Sequence, residues 1–303
     1  MGLDGLQRAR DLHPPTRDAT LRRDPVVSRF WEEHRQLLTD AWAEWEEREA
    51  GRLAPLDDTL IDARLRDTVE AAWSDPAREA AVADLWQPVG PGVFQCPFFA
   101  PDGLEVVRSY LSAASRARIP VRPPYGIVLN RHGAMLDLRS AGALAGPGFQ
   151  AFYRRVIDRY MRPISRLLFP EVLGFDTQSF GFSIRYQPGA DTSIRPHTDA
   201  STTTLNINLN LVGETFSGSE VDFFDPRTGR ANRYVFEPGV AVLHRGHVAH
   251  AAHPILGGER TNLVLWLYGD QGRVPPRREE VVALPARERW AVPTAAPDAF
   301  APF

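Results

Sequence analysis

From Leu205 to Leu211 the chain reads Leu-Asn-Ile-Asn-Leu-Asn-Leu, an unbroken alternation of aliphatic and amide side chains. Only an extended strand gives that period a use, because successive side chains leave on opposite faces. Leu205, Ile207, Leu209 and Leu211 therefore share a face that packs on a scaffold, and Asn206, Asn208 and Asn210 face a polar cavity. Phe180, Phe182, Ile184 and Tyr186 alternate in the same way upstream. Further short strands are expected at 221–224, 234–236, 240–243, 248–251 and 261–268, separated by turn residues such as Asp225-Pro226 and Thr228-Gly229. Many short strands at this spacing predict a β-sandwich or barrel, here a jelly roll with helices packed outside.

The first part of the chain reads differently. Residues 1–24 are polar and arginine-rich and are expected to form a poorly ordered arm. From Val26 to about Glu49, Phe30, Leu37, Leu38, Trp42 and Trp45 recur at helical spacing, which predicts one helix with His34 on its face and without a chemical role. A second helix is expected over 58–73, and a third from Ser74-Asp75-Pro76, a cap followed by a first-turn proline, to about Leu85. Val89-Gly90-Pro91-Gly92 marks a boundary. A strand at Val93, a helix capped by Asp102 and a strand at Tyr125–Leu129 follow. The Gly- and Ala-rich stretch 131–147 is the expected substrate cover, and Phe149 to Leu167 has the apolar stripe of an amphipathic helix. The expected organisation is an N-terminal arm and helical region (1–90), a β domain (91–272) and a Pro/Arg-rich tail (273–303) that wraps the surface.

Two segments carry chemistry. His197-Thr198-Asp199 lies in an extended stretch, so an imidazole and a carboxylate can reach one point. They are two thirds of the 2-His-1-carboxylate set that holds Fe(II) with positions left open. The second segment supplies His244, His247, His250 and His253, then Pro254, Gly258, Arg260 and the apolar run Leu263-Val264-Leu265-Trp266. Gly246 and Pro254 rule out a helical stripe of histidines, and His244 and His247 are read as core residues or as groups that orient the ligands. Arg260 enters a buried strand, where a charge needs a partner, and its planar fork suits a carboxylate.

Together, Arg185-Tyr186, the run Arg195 to Thr202, Asn206, His250-Ala-Ala-His-Pro254 and Gly258-Glu-Arg260 resemble the catalytic core of the Fe(II)/2-oxoglutarate-dependent dioxygenases of prolyl and lysyl hydroxylase type. The procollagen-lysyl-hydroxylase-like branch is the nearest in pattern. The resemblance implies a mainly β fold with flanking helices, a double-stranded β-helix core preceded by the N-terminal helical region. It implies that His197, Asp199 and His250 hold Fe(II), that Arg260 takes the far carboxylate of 2-oxoglutarate, and that Tyr186 and Asn206 touch this co-substrate; Thr204 is a weaker candidate. It implies hydroxylation of an unactivated C–H bond with O2, releasing succinate and CO2, with ascorbate as an optional auxiliary. The expected substrate is an amino acid, a peptide or another small metabolite, with Glu220 and Asp222 as candidates on the substrate side. Where the family has Gly-Gly after the core strand, this chain has Ser217-Gly218-Ser219-Glu220.

A redox-silent Zn or Mn jelly-roll protein, a cupin-like isomerase or hydrolase, also explains the histidines and Asp199 but gives Arg260 no task. A metal-free binding module, with histidines that only pack, is the third reading. With 38 acidic against 35 basic residues, the net charge of −3 excludes a nucleic-acid partner held by phosphate contacts. The single cysteine, Cys96, excludes an internal disulfide and fits a cytoplasmic protein. No secretory signal and no apolar run of membrane-spanning length is visible. The sequence leaves the oligomeric state open.

Overall fold

The computed structural model describes residues 4–124, 133–189, 192–276, 284–294 and 296–302. Its strands are β1 (Gln87–Gly90), β2 (Val93–Pro97), β3 (Ala134–Met135), β4 (Gln178–Tyr186), β5 (Ile194–His197), β6 (Thr203–Asn208), β7 (Phe216–Gly218), β8 (Val221–Phe224), β9 (Ala231–Tyr234), β10 (Val240–Arg245), β11 (His250–Ala252), β12 (Ile255–Gly258) and β13 (Arg260–Tyr268). The larger sheet runs β1-β2-β10-β6-β13-β4-β3, the smaller runs β5-β11-β8-β9, and β7 pairs with β12 alone. All pairings are antiparallel. From β4 onward the chain passes repeatedly between the two larger sheets, which makes the double-stranded β-helix expected from the strand spacing.

The alternation of the central strand sorts its residues as its period requires. Leu205, Ile207 and Leu209 are buried in an apolar cluster shared with the helices. Phe180, Phe182, Ile184 and Tyr186 belong to a second cluster between the sheets, with Val221, Phe223, Val264 and Trp266. Burying one such side chain contributes roughly 1.5–3 kcal/mol, so the first cluster fastens the helices to the larger sheet and the second joins the two sheets. The strand expected at 234–236 instead ends at Tyr234, because β9 pairs with β8 only that far. Beyond it Phe236 is buried in the cluster between the sheets.

Four further expectations need correction. Residues 4–24 are not a loose arm: helices Gly5–Arg10 and Arg17–Leu21 bury Leu6, Ala9 and Ala19. Glu44 accepts from the Leu6 N–H at 3.0 Å, and Asp4 pairs with Arg48 at 2.8 Å, so the segment is clamped to the helix Arg35–Glu49. The helix expected from Val26 is two, Pro25–Glu33 and Arg35–Glu49, because His34 leaves helical geometry and its ring Nδ1 lies 2.7 Å from the Phe30 carbonyl. The helix Pro101–Arg116 is capped by Ala100, with Pro101 in its first turn, where a missing N–H costs nothing; Asp102 lies inside it.

The stretch expected as a substrate cover is anchored instead. Over 133–147, β3 pairs with β4, and Leu136, Ala141, Ala143, Leu144 and Ala145 are buried. The Gln150 side chain donates to the Leu136 and Leu144 carbonyls at 2.8 and 2.6 Å. Arg131 and His132, and the strand expected at Tyr125–Leu129, lie outside the described residues. The amphipathic stripe forms one long helical run, 147–168, with a π-helical turn at Val156–Met161. In the C-terminal segment Trp290 is buried, and Arg166 donates to the carbonyls of Glu288, Arg289 and Ala291.

Candidate active site

β5 and β11 are neighbours in the smaller sheet, and His197 and His250 are direct cross-strand partners. Their ring centroids are 4.3 Å apart. Asp199 follows β5, held by its N–H to the Gly246 carbonyl at 2.9 Å. Gly246 allows this approach, since a Cβ there would lie 1.9 Å from the Ser201 carbonyl oxygen. The result is a convergence: Asp199 Oδ1 lies 3.6 Å from His197 Nε2 and 3.8 Å from His250 Nε2. One ligand atom from each of the three lies within 4.8 Å of the others.

The protons stand where a metal site needs them. His197 Nδ1 faces the Arg195 carbonyl at 2.8 Å and His250 Nδ1 the Val248 carbonyl at 3.0 Å. A carbonyl only accepts, so Nδ1 carries the proton and each Nε2 keeps its lone pair toward the common centre. Burial, and then the neighbouring His250, hold the His197 ring below its ordinary pKa and favour its neutral form. Asp199 Oδ2 turns the other way and accepts from the Thr204 hydroxyl at 2.5 Å.

His244 sits deeper, fully buried, with Nε2 3.7 Å from Asp199 Oδ2. Burial is the main cause that pushes its pKa down to about 4. Its ring packs against Phe223 and His250, and it is not among the three convergent ligand atoms. His247 is exposed. His253 is taken by Asp222, 2.6 Å away. Asp222 also receives both Nε and Nη2 of Arg233, at 2.9 and 3.1 Å. These contacts lie on the face of β8 opposite Val221 and Phe223, which line the cavity.

That cavity joins the three convergent groups to Arg260. It is lined by Tyr186, His197, Asp199, Thr204, Asn206, His244, His250 and Arg260, with an apolar wall that includes Phe182, Ile194, Val264 and Trp266. Gly258 makes the entry into β13: its φ is +71°, and a Cβ would meet the Thr215 carbonyl at 2.3 Å. Arg260 pairs with Tyr186 across β13 and β4 and is 1% exposed. Its guanidinium carbon lies 4.4 Å from the centre of the Tyr186 ring and 4.9 Å from that of Phe236. Nε and Nη1 find no hydrogen-bond partner among the described residues. Desolvation lowers the Arg260 pKa, yet guanidinium stays charged, so a buried cation faces the cavity with donors to spare.

The residues present thus fit a divalent metal bound by two neutral imidazoles and a carboxylate, and an anion with a carboxylate at Arg260. Sequence reasoning assigned no task to Phe236, Ser201 or Asn262. The Asn262 side chain bonds Asn206 at 2.6 Å. Its position two residues after Arg260 was the available signal, since the two share a face of β13.

No protein-family model matches the chain. It is 29% identical over 191 residues to the Arabidopsis thaliana 2-oxoglutarate and iron-dependent oxygenase domain-containing protein ICU11, covering 58% of this chain and 45% of that one. It is also 29% identical over 186 residues to the Xenopus tropicalis 2-oxoglutarate and iron-dependent oxygenase domain-containing protein 2, covering 58% and 48%. Over 107 residues it is 35% identical to procollagen-lysine,2-oxoglutarate 5-dioxygenase 1 of Rattus norvegicus, covering 34% and 14%. The chain spans less than half the length of these curated relatives. The chain is thus similar in sequence to 2-oxoglutarate and iron-dependent oxygenase domain proteins and, over a shorter stretch, to a procollagen-lysine dioxygenase.

Proposed function

We propose that the chain is an Fe(II)- and 2-oxoglutarate-dependent dioxygenase that hydroxylates an unactivated C–H bond of an amino-acid, peptide or small-metabolite substrate. The observation that carries this reading is the shared cavity: three convergent groups open onto the same space as a buried guanidinium whose Nε and Nη1 have no partner among the described residues. A redox-silent metal site needs the first of these and has no use for the second.

In this reading His197 and His250 present Nε2, Asp199 presents Oδ1, and Thr204 fixes the Asp199 carboxylate by engaging its other oxygen. Arg260 anchors the carboxylate of the keto acid far from the metal, and the Tyr186 and Phe236 rings hold the guanidinium in place. Asn206 offers a polar contact beside them. The apolar wall keeps water away from the reacting centre. Bound Fe(II), with 2-oxoglutarate and O2, supplies the oxidising chemistry: the keto acid leaves as succinate and CO2, and the substrate gains a hydroxyl. Among the described residues no helix is long and apolar enough to cross a membrane. We place the protein in the cytoplasm, where its one cysteine, buried Cys96, stays reduced.

The test is succinate formation from 2-oxoglutarate by the Fe(II)-loaded protein in the presence of amino acids and peptides. The expected result is turnover stimulated by at least one of them and abolished by His197→Ala. Metal binding without any succinate, uncoupled or stimulated, would sink the reading.

A further inference from the structure

The amide side chains of β6, of Asn210 just beyond it and of β13 form a ladder with a direction. It starts at a backbone group that cannot reverse: the Asn210 N–H donates to Asn208 Oδ1 at 3.2 Å. Asn208 Nδ2 must then be the donor on the other side, and it faces three acceptors, Asn210 Oδ1 at 3.2 Å, the Thr261 carbonyl at 3.4 Å and Asn262 Oδ1 at 3.3 Å. One of these is a backbone carbonyl, which only accepts. The Asn210 side chain is locked as well, accepting from the Thr261 N–H at 3.0 Å and donating to the Glu259 carbonyl at 2.6 Å. With its oxygen engaged by Asn208, Asn262 has its NH2 left to give, and Nδ2 donates to Asn206 Oδ1 at 2.6 Å.

Asn208, Asn210 and Asn262 are buried at 0%, 3% and 0% exposure, so water does not offer an alternative pairing. Reversing any one amide would set NH2 against NH2 or oxygen against oxygen somewhere along the ladder. That is costly in a dry interior. The ladder ends at Asn206, which lines the cavity with Arg260. Its oxygen is already taken, and Nδ2 has no partner among the described residues.

We infer that Asn208 and Asn262 are positioning residues that fix the Asn206 amide with its NH2 toward the cavity, so that the site selects an oxygen acceptor there, a carboxylate or keto oxygen of the co-substrate. This rests on the oxygenase reading for the identity of the ligand, but the amide polarity does not depend on it. Oxygen lone pairs and an NH2 donor differ in sign, so the rung sequence converts a backbone N–H at Asn210 into a preference for anions beside Arg260.

The test has two readouts on the full chain. The first is nuclear magnetic resonance coupling across the hydrogen bond: magnetisation is expected to pass from the Asn262 side-chain nitrogen to the Asn206 side-chain carbonyl carbon. Coupling in the reverse sense, or none, overturns the inference while leaving the oxygenase reading intact. The second is 2-oxoglutarate binding to Mn(II)-loaded protein. In Asn262→Asp the new carboxylate only accepts, so Asn206 must turn its NH2 back and present its oxygen to the cavity. The 2-oxoglutarate Kd is expected to rise by about tenfold or more, with Mn(II) affinity unchanged. Asn206→Asp, at a half-buried position, keeps the ladder and puts an oxygen in the cavity directly; the same selective loss is expected. Folded variants that both bind 2-oxoglutarate within twofold of wild type overturn the inference. Wild-type protein that binds Mn(II) but no 2-oxoglutarate overturns the oxygenase reading and the ligand assigned here, whatever the couplings show.

Discussion

The Thr204 hydroxyl donates to Asp199 Oδ2 at 2.5 Å, the carboxylate oxygen turned away from His197 and His250. Ser201 Oγ lies 2.9 Å from the same Thr204 oxygen. Since the Thr204 proton goes to Asp199, Ser201 is the donor to Thr204, and the two hydroxyls form a buried relay behind the carboxylate. Thr204→Val keeps the shape and removes the relay. Metal affinity is expected to fall by about 10- to 100-fold, the usual range for a lost outer partner of a ligand. Fe(II) or Mn(II) titration monitored by calorimetry checks it, and unchanged affinity would show that Asp199 needs no such support.

Removing a convergent imidazole is a larger change. His197→Ala and His250→Ala are each expected to lower metal affinity by more than about 100-fold, beyond the range seen for outer partners. His253→Ala is expected to leave metal affinity unaltered, because His253 faces Asp222 rather than the cavity. Equal losses in all three variants would put the centre elsewhere among the histidines.

Arg260 separates binding from folding. Its guanidinium is buried, with two nitrogens that have no partner among the described residues, a cost to the ligand-free protein. Arg260→Leu is expected to raise the KM for 2-oxoglutarate by at least about 30-fold, the loss of a charge-assisted pair. The melting temperature without ligand should stay level or rise. Stabilisation of the wild type by 2-oxoglutarate, seen as a ligand-dependent shift in Tm, should vanish in the variant. A variant that melts far lower without ligand would mark Arg260 as structural.

Ser219 holds a φ of +63° and is fully buried, and its hydroxyl has no partner among the described residues. A left-handed conformation costs a non-glycine residue about 1 kcal/mol. Ser219→Gly, which restores the glycine pair of the resembling family, is therefore expected to stabilise the fold by up to about 1 kcal/mol, allowing for the greater freedom of the unfolded glycine. Thermal melting measures it; destabilisation would mean that the hydroxyl has a task in the folded protein.

Asp222 provides a pH dependence outside the cavity. Its hydrogen bonds from Arg233, and then from His253, lower its pKa from 3.8 to about 2. A carboxylate depressed on folding stabilises fully above its unfolded pKa, and the contribution is lost as pH falls through the folded value. Asp222→Asn is thus expected to be less stable than wild type at neutral pH, with the gap closing between about pH 4 and pH 2. Urea midpoints across that range check the sign, and a gap that widens toward acid would contradict it.

The legible parts of this molecule were those in which one face is wet and the other dry. Leu205 to Asn210 shows its faces openly, and His197-Thr198-Asp199 shows an imidazole and a carboxylate on one side of an extended chain. Equal spacing alone does not separate the four histidines; the resemblance singles out His250, and cross-strand register sets that residue opposite His197. In β13 every residue is buried, so hydropathy carries no trace of which face Asn262 takes. The docking of residues 4–24 was hidden for another reason: two short helices bury only Leu6, Ala9 and Ala19, too few to stand out from a polar background. Anchoring of 133–147 likewise rests on small side chains, Ala141, Ala143 and Ala145, whose composition reads as loop.

β5 is four residues long and terminal in its sheet, with β11 as its neighbour and a register shift between them. An edge strand so short gains little from its ladder, and its one aliphatic side chain, Ile194, is only half-buried against the cluster between the sheets. An ion gripped by His197 on this margin and by His250 on the inner strand would act as a rivet through the sheet. The rim of the barrel would then be loosest when empty and stiffen upon loading, so that the strand guarding the mouth is fastened by the ion it helps to hold.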